Sequence, residues 1–329
     1  MSDTTTTTMS AIVQHAYGSS DALRVETIPV PVPAPAEVLV EVRAAGVDAG
    51  TWHLMTGRPY LMRVIGFGLR GPRARVRGLA FAGRVAAVGA DVSDLRPGDG
   101  VFGSADGAFA EFVLAPRSAL VRLPASIGYE QAAAVPVSGV TALQALRAAA
   151  APAGGRVLVL GASGGVGHYA VQLAVAAGAT VTGVCSAAKA EFVRGLGAAD
   201  VIDYRTTDVT ATGRSWDAII DTAGDRPLSR LRRILAPTGS LVIVGGSGGP
   251  VLGGMERVLA AAIASRFTGQ RLIGLVSKEN ATDLAELAAL ADAGAFLPAV
   301  DAVLPLDRAG EAVDLVASGA VRGKVVVVP

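Results

Sequence analysis

The pattern of apolar and polar positions changes period part-way along the chain. Up to about residue 114 the strand-like runs are short and broken by Pro and Gly: residues 11–13, 23–25, 37–42, 79–89 and 108–114, with 95–102 reading as a turn and strand. Residues 37–42 alternate as a half-buried strand does. Pro29, Pro31, Pro33 and Pro35 form a stiff extended connector. Short strands with Pro and Gly turns predict a small barrel-like β domain. Residues 48–57 read as a loop or short helix. From residue 129 to 148 the apolar spacing becomes helical, two helices meeting at residues 136–139. Unbroken apolar runs then appear at residues 156–160 and 179–185, with a helical pattern between them, and read as strands buried on both faces. Further strands are predicted at 200–203, 218–221, 240–245 and 270–274. Helices are predicted at 188–196, 228–235, 254–263 and 281–293, and two final strands flank a helix at 308–318. Alternating strands and helices imply a doubly wound parallel sheet.

Composition narrows the class. The chain has 329 residues, enough for one large or two ordinary domains, and its net charge of +1 argues against nucleic acid or an anionic membrane as the main partner. One cysteine, Cys185, excludes an internal disulfide and fits a reducing cytoplasm. Residues 1–10 hold a run of threonines with neither the basic start nor the apolar core of a signal peptide, and read as a disordered leader. No apolar run is long enough for a membrane span, so a soluble protein is expected. Residues 63–78 contain Arg63, Arg70, Arg73, Arg75 and Arg77 and no acid. They can attract an anionic substrate or a cofactor phosphate, or simply form a solvated loop.

The first run of buried strand ends in Gly161-Ala162-Ser163-Gly164-Gly165-Val166-Gly167. In a strand–turn–helix, the first glycine turns tightly, the middle pair lets the backbone approach a pyrophosphate, and the last lets helix and strand pack closely. The helix N-terminus then faces the phosphates. A dinucleotide is the expected ligand. An NAD site usually places an acid after the second strand; here Val184-Cys185-Ser186-Ala187-Ala188-Lys189 has none. Ser186 and Lys189 can donate to a 2′-phosphate, which points to NADPH, although Lys189 also reads as an ordinary exposed helix lysine.

Several spaced motifs occur in order: Leu95-Arg96-Pro97-Gly98-Asp99-Gly100-Val101, Glu130-Gln131-Ala132-Ala133-Ala134-Val135-Pro136, Thr141-Ala142-Leu143-Gln144-Ala145-Leu146, the glycine turn, and Arg322-Gly323-Lys324-Val325-Val326-Val327. With them, residues 11–328 resemble the medium-chain dehydrogenase/reductase superfamily, and within it the zinc-free quinone oxidoreductases and enone reductases. The resemblance implies a GroES-like β-rich catalytic domain at 11–124, a Rossmann domain at 125–298 and a C-terminal return at 299–329. It also implies a homodimer, with residues 271–274 as the joining edge. Beyond Ser163, Val166 and the glycines, the cofactor contacts it implies are Thr141, Tyr204, Gly245, Gly246 and Lys324.

Zinc-dependent relatives hold a catalytic metal with two Cys and a His. Where they carry the first Cys, this chain has Asp48, and where they read Gly-His-Glu it has Gly78-Leu79-Ala80. With one Cys and three His, His15, His53 and His168, no tetrahedral zinc site is expected. Direct carbonyl reduction without a metal needs strong donors, whereas hydride addition to an enone or quinone spreads charge over the acceptor. The expected activity is therefore an NADPH-dependent reduction of a small molecule with an activated C=C bond, or of a quinone. Two alternatives stay open: a zinc-free carbonyl or alcohol oxidoreductase using Asp48 and His53, and a non-catalytic NADPH-binding protein. Asp48, Thr51, His53, Tyr17 and Tyr60 are the candidate catalytic residues, Asp48 and His53 as a hydrogen-bonded pair. His168 reads as a helix-surface residue and Cys185 as a small packed hydrophobe.

Overall fold

The structure, a computed structural model, describes residues 7–245 and 249–329. It divides into two compact units, one made of Met1–Arg58, Met62–Val137 and Glu279–Pro329, the other of Pro59–Leu61 and Ser138–Lys278.

The first unit opens with β1 (Thr8–Val13) and β2 (Arg24–Pro29), paired antiparallel. Strand β1 starts inside what reads as a disordered leader. Met9 and Ala11 are buried in a small cluster with Val13 and Ala110, a partnership that the neighbouring threonines hide from a pattern reading. Residues 1–6 lie outside the described residues. Then come β3 (Glu37–Val47), α1 (Ala49–Thr56), β4 (Ala80–Val88), β5 (Gly100–Ser104), β6 (Phe112–Pro116), β7 (Leu120–Arg122) and α2 (Tyr129–Ala133). Val38, Val40 and Val42 on one face of β3 sit in the core while Arg43 is exposed, but Leu39 on the other face is buried too, and past Arg43 the strand is buried on both faces. Near its end, Gly46 lies so close to α2 that an added Cβ would meet the Ala133 carbonyl oxygen at 2.4 Å.

The second unit contains α3 (Ser138–Ala149), β8 (Arg156–Leu160), α4 (Gly167–Ala176), β9 (Thr180–Cys185), α5 (Ala190–Gly195), β10 (Asp200–Asp203), β11 (Trp216–Asp221), α6 (Leu228–Arg233), β12 (Leu235–Ile243), α7 (Met255–Ser265) and β13 (Arg271–Gly274). Its strands are all parallel, in the order β10-β9-β8-β11-β12-β13. The chain winds outward from β8 to β10 and then crosses to β11, which makes β8/β11 the switch point of a Rossmann sheet. Leu158, Leu160, Ile219, Leu241 and Trp216 fill the core against the strands.

The remaining elements, α8 (Ala281–Asp292), β14 (Val300–Pro305), α9 (Ala309–Ala317) and β15 (Lys324–Val328), belong to the first unit. They complete a sheet of order β14-β15-β3-β4-β5-β7, with β6 also on β3. The units change over at Ser138 and Glu279, not at the 125 and 298 expected from the sequence. Helix α8 continues the strand–helix alternation, but Asp292 at its end accepts from the Ser126 N–H at 3.1 Å, within the first unit. Alternation alone does not say which sheet a helix covers. Among the described residues no helix is long and apolar enough to cross a membrane.

Candidate functional site

In the second unit the glycine turn joins β8 to α4 at the switch point. Gly161 has φ +76°, and a Cβ there would meet Thr222 Oγ1 at 2.5 Å. Gly167 is tighter, since its Cβ would lie 2.1 Å from the Gly161 carbonyl oxygen. Both positions require glycine for backbone reasons. Gly161 and Ala162 donate their N–H groups to the Val184 carbonyl at 3.1 and 3.0 Å, tying the turn to the end of β9. Ser163 is buried, and Gly164, Gly165 and Val166 are half-buried at the start of α4. This short, Cβ-poor approach to a helix N-terminus fits the pyrophosphate of a dinucleotide.

The tips of β9 and β10 lie side by side. Asp203 pairs with Cys185, and the Tyr204 N–H donates to the Cys185 carbonyl at 3.2 Å, so Ser186 and Tyr204 follow at the same sheet edge. Tyr204 is exposed, Lys189 half-buried on the next short turn, and Asp203 accepts from the Arg205 N–H at 3.0 Å. Two side-chain donors and a phenol thus stand where NAD sites place an acid. Burial pushes the Cys185 thiol up, and Asp203 adds to the rise. His168 departs from its expected surface position. It is fully buried, with Nδ1 at 3.0 Å from the Gly164 carbonyl and its ring 3.9 Å from that of Tyr169, because α4 is covered on most sides.

Thr141 is buried and donates to Ser277 Oγ at 2.9 Å, and Gln144 and Lys278 exchange hydrogen bonds one turn further on. At the switch point Gly245 donates to the Asp221 carbonyl at 3.3 Å; Gly246 lies outside the described residues. Sequence reasoning missed Asp221 itself. Its buried carboxylate accepts from Arg257 at 2.7 Å and from the Gly224 N–H at 2.8 Å. The available signal was an acid closing an otherwise apolar strand. Tyr60 belongs to this unit too, its N–H donating to the Pro250 carbonyl at 2.8 Å.

In the first unit, β3 pairs with β15 so that Val47 faces Val325, and the residues just past that pair, Asp48 and Lys324, come together. Both are buried, and the Lys324 ammonium donates to Asp48 Oδ1. Lys324, expected on the cofactor, donates here to Asp48. His53 does not pair with Asp48; its Nδ1 faces the Arg58 carbonyl oxygen at 2.9 Å. Thr51 is buried and donates its N–H to the Asp48 carbonyl, and Tyr17 donates to the Gly68 carbonyl at 2.7 Å. A group without any motif joins them. Burial pushes the Glu279 carboxyl up, its own backbone hydrogen bond partly offsets this, and the nearby Asp48 charge adds to the rise.

Residues 34–125 match the alcohol dehydrogenase GroES-like domain and residues 196–327 a zinc-binding dehydrogenase domain. A chloroplast envelope quinone oxidoreductase homolog from Arabidopsis thaliana is 32% identical over 342 residues, which cover 98% of this chain and 98% of that protein. The chain belongs to the medium-chain dehydrogenase/reductase superfamily. Within that superfamily it falls in the quinone oxidoreductase branch. The quinone oxidoreductase of Escherichia coli, solved in complex with NADPH, superposes with a TM-score of 0.83 at 26% identity, covering 97% of this chain and 100% of its own. A trans-enoyl reductase from Aspergillus terreus is 37% identical over 202 residues, or 57% of this chain and 55% of its own. This member of the superfamily is an NAD(P)H-dependent oxidoreductase of small molecules.

Although one matching domain is described as zinc-binding, the donors here do not fit a tetrahedral zinc. Asp48 is held by Lys324, His53 faces the Arg58 carbonyl, His15 faces Glu26 at 2.7 Å, and Cys185 and His168 belong to the other unit. Among the described residues no three His, Cys, Asp or Glu side chains form a group able to hold a metal ion.

Proposed function

We propose that the protein is a zinc-independent, NADPH-dependent reductase that transfers hydride to an activated C=C bond of an enone or enoyl compound, or to a quinone. The pairing of Asp48 with buried Lys324 carries the choice of acceptor. The position that supplies a zinc thiolate in metal-dependent relatives is filled here by a neutralised carboxylate. A saturated ketone needs an electrophile at its oxygen, whereas a conjugated acceptor spreads the incoming charge itself.

Bound NADPH supplies the hydride. The residues assigned to hold it are Gly161, Ser163, Gly164, Gly165, Val166 and Gly167 for the pyrophosphate, Ser186, Lys189 and Tyr204 for the 2′-phosphate, Thr141 near the nicotinamide, and Gly245 and Lys324 as further contacts, with Gly246 outside the described residues. His53, in the first unit, is the candidate proton donor, and Tyr60, in the second, is a further candidate with an exchangeable proton. Donation from His53 Nδ1–H to Arg58 leaves Nε2 to carry or release a proton. The Asp48–Lys324 pair is a buried, mutually neutralised ion pair of the first unit, and water can complete protonation of the product.

The reading includes a homodimer joined along β13, supported by the open edge of the sheet and by exposed Leu259, Ile263, Phe267 and Val276 beside it. Light scattering should show a dimer, converted to monomer by Phe267→Glu. The activity is tested by following NADPH and NADH oxidation against a quinone, an α,β-unsaturated ketone, an enoyl thioester and a saturated ketone. Turnover of the conjugated acceptors alone, with NADPH preferred, is the expected result. Turnover of the saturated ketone that disappears in His53→Ala would move the assignment to a carbonyl reductase, and tight NADPH binding without turnover to a binding protein.

A further inference from the structure

The arginine-rich segment 63–78 is built, and one of its arginines is turned inward. Arg77 is 3% exposed, and among the described residues its Nε–H has no acceptor. Its backbone leaves it little freedom: the Arg77 N–H donates to the Ile12 carbonyl at 2.9 Å, its own carbonyl accepts from Phe109 at 2.8 Å, and Gly78 beyond it, at φ +88°, lies against the Phe109 ring. A buried guanidinium is costly unless something satisfies it. Burial lowers its pKa, and the charges of Asp106 and Tyr17 only partly offset this.

What Arg77 borders is a cavity of about 230 Å³, lined by Arg73, Leu54, Phe67, Val76 and Asp106 among others. The flanking chain is pinned as well. The π-helical turn Arg63–Phe67 is anchored by Arg63, which donates to the carbonyls of Gly57 and Thr56 at 2.8 and 3.0 Å and stacks 4.2 Å over the Tyr17 ring, while Tyr17 holds Gly68. The cavity thus carries buried Arg77 and exposed Arg73 beside the apolar side chains Leu54, Phe67 and Val76, with Asp106 on its lining as well.

We propose that this cavity is a binding site for a small organic acid, whose carboxylate pairs with Arg77 and Arg73 and whose apolar body lies on Leu54, Phe67 and Val76. A guanidinium matches a carboxylate in charge and in the geometry of its two N–H donors. Phosphate fits less well, since a dianion needs more donors than two arginines and is repelled by Asp106, and the walls offer it nothing. The site lies within the first unit and stands independently of the reductase reading.

The test is direct binding of benzoate, with benzamide as its neutral isostere and inorganic phosphate as the competing anion. It is read by calorimetry and chemical-shift changes on the full chain without cofactor or turnover, so failure of the reductase activity does not touch it. Benzoate should bind about tenfold or more tightly than benzamide. Arg77→Met should abolish that preference while leaving benzamide binding in place. Asp106→Asn, at an exposed position, should tighten benzoate about twofold by removing a like charge, and it keeps the proposal testable if Arg77→Met does not fold. Equal affinity for benzoate and benzamide, benzoate binding that survives in Arg77→Met, a benzoate affinity unmoved by Asp106→Asn, or phosphate displacing benzoate at lower concentration would each overturn it.

Discussion

Replacing Asp48 by Asn should cost more stability than the ion pair itself contributes, because it removes the carboxylate that the buried Lys324 ammonium donates to. Breaking one side of such a pair typically costs about 3–5 kcal/mol, whereas replacing both by apolar residues is often nearly neutral. Urea unfolding should therefore show Asp48→Asn strongly destabilised and Asp48→Leu combined with Lys324→Met largely restored; equal loss in both would refute the account. Glu279 makes a pH prediction. Burial raises its folded-state pKa above the unfolded value, so the folded protein holds the proton longer and stability falls as pH rises through the folded pKa. Glu279→Gln should melt higher than the parent at mildly alkaline pH, and the gap should close in acid, below the ordinary carboxyl range. A pH-independent gap would mean that the side chain acts through packing instead. At this scale the glycine turn was readable because its demand is local: φ at Gly161 and one close contact at Gly167. Asp48–Lys324, Glu279 and Arg77 were not, since each depends on neighbours distant in sequence.

Among the elements, the turn between β8 and α4 is the most constrained. Gly167→Ala would place a methyl 2.1 Å from a backbone oxygen that cannot move without opening the turn. Overpacking of that kind costs about 1–3 kcal/mol, and here it also displaces the backbone meant for the pyrophosphate. The expected result is a lower Tm together with weaker NADPH quenching. Gly178→Ala is a useful contrast, because nothing lies within 4 Å of its missing Cβ although its φ is +81°, so it should melt lower but bind NADPH normally. Most elements were legible from period alone, including the two helices that become α2 and α3. Those missed were short or disguised: β7 has three residues, and the start of β1 is written in Thr, Met and Ser.

For the whole molecule, the legible part was the order of architectures and the hidden part was ownership. Strands β14 and β15 were expected to return to the first unit and do, but helix α8, read as part of the Rossmann unit, belongs to the first unit as well. A chain ending at Lys278 should keep the glycine-turn unit folded and able to bind NADPH. It should lose the other unit, because β3 would have no β15 beside it and Asp48 no Lys324. Hydrogen exchange would show this as protection of β8 to β13 with none in β3 and β4, and full protection of both would contradict it.

The pairing of Val47 with Val325 also imposes a schedule on synthesis. At ribosomal rates the early strands emerge on the order of tens of seconds before the one that finishes their sheet. The middle of the chain can fold in the meantime, while the edge of β3 waits. During that interval the nascent protein carries an unsealed β edge and an aspartate whose lysine has yet to be made, and that is when a holdase chaperone has most to protect.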